Sequence, residues 1–216
     1  MDDNYNLTIL IMVDTPIELS DLFDRAHKAE LSGFKIEPPE IRIGPQIPGG
    51  LMISTGTPSF RFPKVVSGHD LLVFNVLHSD AKRGGFQLEV QNTKGYSFSQ
   101  DLYRSLNELI QKLGYLTVYA YEIVIRFIVN TQKYPLFKEI DGLQTMGSPH
   151  YASLRLLDGY KGEKDLREEF VSEIKVEELS QPSKSQVTTL HRFKNFDDDK
   201  LQKIFADLDK VLKLVR

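Results

Sequence analysis

The sequence contains no cysteine among its 216 residues. This absence excludes a thiol nucleophile, a cysteine-ligated zinc site and a disulfide framework. A chain of this length can bury a sizeable hydrophobic core without such cross-links, because the buried fraction of the surface rises with chain length. Hydrophobic residues make up 41% and charged residues 26% of the chain, as in ordinary globular proteins. We therefore expect a fold held by packing.

The chain also lacks an excess of charge of either sign. It has 27 Lys and Arg against 30 Asp and Glu, which gives a net charge of −3. This balance excludes a polybasic nucleic-acid coat and an acidic tail, and a nucleic-acid-binding domain normally carries a strongly basic patch or stripe. Nucleic acid is therefore not the expected partner, and nucleic-acid binding stays as the weakest of three hypotheses.

Long apolar segments are missing as well. The first residues, Met1 to Asp3, are acidic, and the apolar run Leu7–Val13 is too short for a secretory signal. The longer run Tyr115–Val129 contains Glu122 and Arg126, so it falls short of a membrane span. We expect a cytoplasmic protein with no membrane partner.

The hydrophobic pattern predicts an α+β fold in which a mostly antiparallel sheet is packed by two or three amphipathic helices. β-branched or alternating segments predict the strands, among them Leu7–Val13, Leu71–His78, Phe86–Gln91, Tyr115–Asn130, Tyr151–Leu157 and Val187–Phe193. Apolar residues at helical spacing predict helices over 17–31, 102–113 and 201–215, the last at the C-terminus. A doubly wound parallel sheet is excluded because it needs a helix after nearly every strand.

We interpret residues 1–216 as a single α+β domain. A strand–helix–strands order occurs near residues 7–60 and again near 86–157, so pseudo-repeat halves of about 1–80 and 81–216 are an alternative description. Residues 158–180 fit either a helix or, from Phe170 to Val176, a strand.

Polar residues around the predicted turn 79–85 form one candidate ligand site. They are His78, Asp80, Lys82 and Arg83, followed by Gly84 and Gly85. A histidine beside an acid can act as a general base or metal ligand, and two cations beside flexible backbone can hold a phosphate. The alternative interpretation is an exposed loop tip whose charges discourage edge pairing. Glycine-rich phosphate-binding motifs are absent from the sequence.

Glu122 and Arg126 form a second candidate, a polar spot on the face of the long predicted strand. In a strand they share a face about 13 Å apart, which is too far for direct pairing. Each then needs a cross-strand partner or solvent. This pattern indicates either a partly wet sheet face or a polar spot inside a cleft or subunit interface.

Catalytic signatures are missing from the sequence. It has neither Gly-x-Ser-x-Gly nor His-Glu-x-x-His, and its two Ser-x-x-Lys matches, Ser79–Lys82 and Ser172–Lys175, lack their companion motifs. The acidic triplet Asp197–Asp199 is typical of a helix N-terminus. We predict no catalytic residue, no metal and no cofactor.

The order Gly95–Ser99, a helix, and a long strand that ends at Arg126–Asn130 resembles a pattern in a sporadically distributed family of uncharacterised prokaryotic proteins. The amphipathic C-terminal helix fits that pattern too. The resemblance implies no activity, and we assign no family from it.

Three functional hypotheses follow. The first is a prokaryotic-type binding or assembly module without catalysis, acting as a homodimer. The second is an enzyme or ligand-binding domain that holds a phosphate-bearing small molecule at His78, Asp80, Lys82 and Arg83. The third is nucleic-acid binding.

Overall fold

Eleven strands and three helices make up the described part of the computed structural model, namely residues 4–31, 35–37, 41–46, 50–55, 59–77, 82–130, 151–158, 170–179, 184–194 and 198–215. The strands are β1 Tyr5–Val13, β2 Lys35–Glu37, β3 Ile41–Gln46, β4 Gly50–Thr55, β5 Ser59–Val66, β6 His69–Leu77, β7 Lys82–Thr93, β8 Val118–Asn130, β9 Tyr151–Asp158, β10 Phe170–Glu178 and β11 Lys184–Phe193. The helices are α1 Leu19–Lys28, α2 Tyr96–Lys112 and α3 Asp198–Val215. The predicted α+β class with a C-terminal helix is confirmed.

Nine of these strands form one sheet in the order β2-β5-β6-β7-β1-β8-β11-β10-β9, and β3 and β4 form a separate two-stranded antiparallel sheet. The pairs β5–β6, β6–β7, β8–β11, β11–β10 and β10–β9 are all antiparallel. The predicted antiparallel sheet is therefore confirmed. Strand β1 is buried along most of its length, as its β-branched sequence predicts for an interior strand.

The chain divides into two compact units. Unit 1 comprises Met1–Ile9, Val90–Tyr103 and Ala120–Arg216, and unit 2 comprises Leu10–Glu89 and Arg104–Tyr119. Each unit has its own buried apolar residues, and each is described by itself below.

In unit 1, helices α2 and α3 cover one face of the strands. The Tyr5 ring on β1 lies 5.6 Å from the ring of Phe205 on α3, and Tyr103 on α2 lies 6.0 Å from Tyr121 on β8. On α3 the large apolar side chains of Leu201, Ile204, Phe205 and Leu208 are buried. Odd-numbered residues of β1 and β8 therefore face the helices, and even-numbered residues occupy the opposite face.

Strand β11 alternates between buried and half-buried side chains along its whole length. The sequence pattern conceals this alternation because Thr189 and His191 occupy buried positions between apolar residues. Burial lowers the pKa of His191 to about 4, although Asp207 on α3 opposes the shift. A neutral imidazole is therefore part of the unit 1 core.

In unit 2, the side-chain amide of Asn75 on β6 binds the backbone of the loop before α1. The Ile17 N–H donates to Asn75 Oδ1 at 2.7 Å, and Asn75 Nδ2 donates to the Ile17 carbonyl at 3.1 Å. Gly84 lies against Ile17 and Gly85 against the Phe74 ring, so that a Cβ atom on either glycine would collide with its neighbour. Both glycines belong to β7, and the predicted turn over 79–85 was therefore too long.

The end of α2 in unit 2 is held by Arg25 of α1. This arginine pairs with Asp21 at 2.7 Å, donates to the Leu113 carbonyl at 2.8 Å and lies 4.9 Å from the centre of the Tyr115 ring. Burial, reinforced by the nearby Asp21 carboxylate, raises the pKa of Tyr115 to about 12. Gly114 follows the end of α2 with φ +79°, the left-handed conformation that glycine commonly supplies after a helix.

Other sequence predictions have mixed outcomes. Residues 170–178 form strand β10, in agreement with the strand alternative for that segment, whereas 159–169 lie outside the described residues. The sequence offers Ser97, with Gln100 three residues on, or Ser99 as the N-cap of α2, and this prediction is wrong because the helix already begins at Tyr96. Among the described residues, no helix has the length and apolar character needed to cross a membrane.

We expect Gly114→Ala to lower the free energy of unfolding more than Gly95→Ala does. Both glycines have φ +79°, where an L residue costs about 1–2 kcal/mol. A Cβ atom at position 95 meets open space, whereas one at position 114 would collide with the Arg25 guanidinium. Urea denaturation of both variants measures the difference. Equal losses would show that the contact of Arg25 with Gly114 does not contribute.

The buried imidazole of His191 predicts a pH-dependent stability. Above pH 6.5 it is neutral in both states, whereas between pH 6.5 and about 4 only the unfolded chain binds the proton. We expect the wild type to lose up to about 1.4 kcal/mol per pH unit more than His191→Gln does across this window. Urea denaturation at several pH values tests this expectation, with His27→Gln on the exposed side of α1 as the control. A His191→Gln curve parallel to the wild-type curve would contradict it.

Candidate functional site

The first predicted site falls largely outside the described residues. His78 and Asp80 lie there, and so does the side chain of Lys82. Arg83 is described: its Nε lies 3.3 Å from the Asp14 carboxylate, and its guanidinium carbon lies 3.4 Å from the centre of the Tyr119 ring. The charge of Arg83 is thus shared with a carboxylate and an aromatic face. Phosphate binding by this group of residues stays a prediction.

Both residues of the second predicted site, Glu122 and Arg126, lie within the described part of the chain. Glu122 lies directly opposite Arg192 in the β8–β11 register, and two nitrogens of Arg192 donate to Glu122 Oε2 at 2.6 and 3.0 Å. Both side chains are largely shielded from solvent. Glu122 therefore has a cross-strand partner of opposite charge.

Arg126 lies on the same face of β8 and has a different environment. Its register partner on β11 is Thr188, and its Nη1 donates to Thr8 Oγ1 at 3.4 Å. Arg126 lines an open cleft in unit 1 with a volume of about 490 Å³. The two residues of the predicted polar spot thus have separate roles, because Glu122 belongs to an ion pair and Arg126 belongs to a cleft.

This cleft, called the Arg126 cleft below, is formed where four segments of unit 1 meet. Its lining comes from the start of β1, the end of β7 with the residue after it, the end of β8 and the start of β11. The lining residues are Asn4, Tyr5, Asn6, Asn92, Lys94, Arg126, Phe127, Ile128 and Gln186. The volume lies within the range of roughly 300–1,000 Å³ that is typical of small-molecule sites.

A link between two asparagines shapes one wall of the cleft. The Asn92 backbone N–H donates to Asn6 Oδ1 at 3.2 Å, and Asn92 has φ +53°, a conformation that asparagine tolerates better than most residues. Because Oδ1 accepts this bond, the orientation of the Asn6 amide is set, and its NH₂ group is the end that can serve as a donor elsewhere.

A buried hydroxyl group holds the segment that carries Lys94. Tyr5 donates from its hydroxyl to the Gly95 carbonyl at 2.8 Å and lies 2.6 Å from the Ser99 hydroxyl. Burial raises the pKa of Tyr5, so the phenol stays protonated and able to donate. This contact fixes the backbone beside Lys94 where the chain enters α2.

The described lining carries positive charge without negative charge. It contains two cations, Lys94 and Arg126, four side-chain amides and no carboxylate. The one acid of β8, Glu122, already pairs with Arg192. Such a lining attracts an anion, since ionised donors make the strongest hydrogen bonds to carboxylate and phosphate oxygens. Within the part of the chain that the structure describes, no group of three or more His, Asp or Glu residues could hold a metal ion.

Sequence reasoning identified Arg126 and missed the other polar residues of the cleft. Asn6, Asn92 and Gln186 are far apart in the chain and belong to no local motif. A signal was present in the spacing of Asn4 with Asn6 and of Asn92 with Lys94, because residues two apart at a strand end share a face. Their convergence depends on strand order, which these spacings do not specify.

Comparison with known proteins finds no matching family model and no matching curated protein. Among solved structures, the chain is similar to one described as the crystal structure of Trypanosoma brucei AdoMetDC-delta26 monomer, with 6% sequence identity and a TM-score of 0.25. The match covers 89% of this chain and 66% of that one. At that TM-score the likeness carries no argument about fold or function.

Proposed function

We propose that the protein is a binding module that acts without catalysis and takes a small anionic ligand in the Arg126 cleft. The observation that carries this proposal is the presence of Lys94 and Arg126 in a described lining with no carboxylate. A bound anion would meet a guanidinium, an ammonium group and the NH₂ group of Asn6. The Glu122–Arg192 pair supports the proposal further, because the Glu122 carboxylate already forms an ion pair and does not compete with a ligand for Arg126.

The asparagine at position 6 allows a test that preserves the fold. In Asn6→Asp a carboxylate oxygen can still accept the Asn92 N–H bond, while a donor is replaced by a negative charge in the cleft. We expect the affinity for inorganic phosphate to fall by about tenfold or more. The measurement is a titration followed by backbone amide NMR shifts of Asn92 and Lys94. Asn107→Asp on α2, with the same change in net charge, is the matched control and should bind like the wild type.

Removal of the guanidinium provides a second arm of the same test. Arg126→Gln should weaken phosphate binding, and Lys203→Gln on the exposed side of α3 should leave it unchanged. The proposal is overturned if the wild type gives no saturable shifts at the cleft, or if Asn6→Asp and Arg126→Gln bind phosphate as well as their controls do.

We also propose that the protein is a cytoplasmic homodimer. Apolar side chains exposed in unit 2 support an association between copies, above all Leu116, which is 76% exposed, together with Leu19 on α1. The apolar face of α3 supplies no such support over Leu201–Leu208, because those side chains are buried within unit 1.

Light scattering coupled to size-exclusion chromatography tests the dimer. We expect twice the chain mass of 24.7 kDa for the wild type at micromolar concentration and a shift towards the monomer for Leu116→Asp. Gln202→Asp, which adds the same charge on the exposed side of α3, should remain a dimer. A wild-type protein that elutes as a strict monomer would remove this part of the proposal.

A further inference from the structure

Side-chain amides are the most numerous polar groups in the lining of the Arg126 cleft. A simple anion without donors can accept from their NH₂ groups but cannot donate to their oxygens. Lys94 and Arg126 can only donate hydrogen bonds, whereas each amide both donates and accepts. The Asn6 oxygen already accepts one hydrogen bond, from the Asn92 N–H. Asn4 and Gln186 also line the cleft, and each carries an amide oxygen that can accept hydrogen bonds. A ligand that matches the lining therefore carries donors in addition to an anionic group.

The dimensions of the cleft point in the same direction. Its volume of about 490 Å³ accommodates an organic molecule and far exceeds what one inorganic anion fills. Ile128 adds apolar surface to the lining, because this residue is 60% exposed. That surface can contact the carbon skeleton of a ligand, while the amides contact its hydroxyl groups.

We infer that the ligand of the Arg126 cleft is an organic phosphate or carboxylate that also bears several hydroxyl groups, as sugar phosphates and sugar acids do. This inference rests on the proposed anion-binding function and specifies its ligand class. Arg126 and Lys94 bind the anionic group, Gln186 and Asn4 accept hydrogen bonds from hydroxyl groups, and Ile128 contacts carbon atoms. Phosphate and carboxylate share this chemistry, so the experiment has one arm for each.

The experiment compares four probes on the wild-type chain by the same NMR titration: inorganic phosphate, glucose, glucose 6-phosphate and gluconate. They separate the anionic group from the hydroxyl-bearing part. We expect glucose 6-phosphate or gluconate to bind at least about tenfold more tightly than inorganic phosphate. Glucose, which lacks an anionic group, should bind more weakly than both organic anions. A tighter glucose 6-phosphate identifies phosphate as the preferred group, and a tighter gluconate identifies carboxylate.

A single variant separates this inference from the function on which it rests. Gln186→Met keeps a side chain of similar length and removes the amide, so the organic anions should lose affinity while inorganic phosphate binds as before. Gln91→Met, on the exposed side of β7, is the matched control.

If inorganic phosphate binds at the cleft and neither organic anion binds more tightly, the ligand class is wrong and anion binding stands. Organic anions that bind more tightly yet do not respond to Gln186→Met would also refute the assignment. If no anion binds, both proposals fail.

Discussion

Successive side chains of an antiparallel strand project to opposite faces, and this alternation decides which residues of unit 1 pack against the helices and which face away from them. The odd-numbered positions of β1 and β8 are used for packing against α2 and α3, where Tyr5 contacts Phe205 and Tyr121 contacts Tyr103. The even-numbered positions do not pack against these helices. Asn6 and Arg126 lie on the face that α2 and α3 do not cover, and both line the cleft, which Tyr5 and Phe127 of the first set also border.

Two arginines on that face have different partners because of the strand register. Arg192 lies opposite a glutamate and is held in an ion pair, whereas Arg126 lies opposite Thr188, which carries no charge. A shift of two residues between β8 and β11 would place Arg192 opposite Ala120 or Val124 in place of Glu122, and the ion pair would be lost. The same register therefore provides both the neutralised pair and the cation of the cleft.

The elements of the fold could be predicted from sequence where one property dominated a segment. The β-branched run of β1 and the apolar spacing of α3 are examples, and the structure agrees with both. Prediction failed where tertiary contacts override local preference. Gly84 and Gly85 indicate a turn by composition, yet they lie in β7 because Ile17 and Phe74 pack where a side chain would stand. The alternation of β11 was concealed because a threonine and a histidine occupy its buried face.

The site was predictable only in part, for a related reason. Two charges within an apolar run identify a polar position on a strand, which is why Arg126 was found. The Asn6–Asn92 contact joins residues that are 86 positions apart, and no local pattern records such a pairing. The separate environments of Glu122 and Arg126 likewise depend on the neighbouring strand.

The asparagine link also bears on how quickly and at what entropic cost the cleft could be occupied. Asn6 and Asn92 are held by one hydrogen bond, and the backbone beside Lys94 is held by the Tyr5 hydroxyl, before any ligand arrives. Walls fixed in advance lose little conformational freedom on association. Encounter then needs no slow rearrangement of the chain, so differences in affinity among ligands should arise mainly from their dissociation rates.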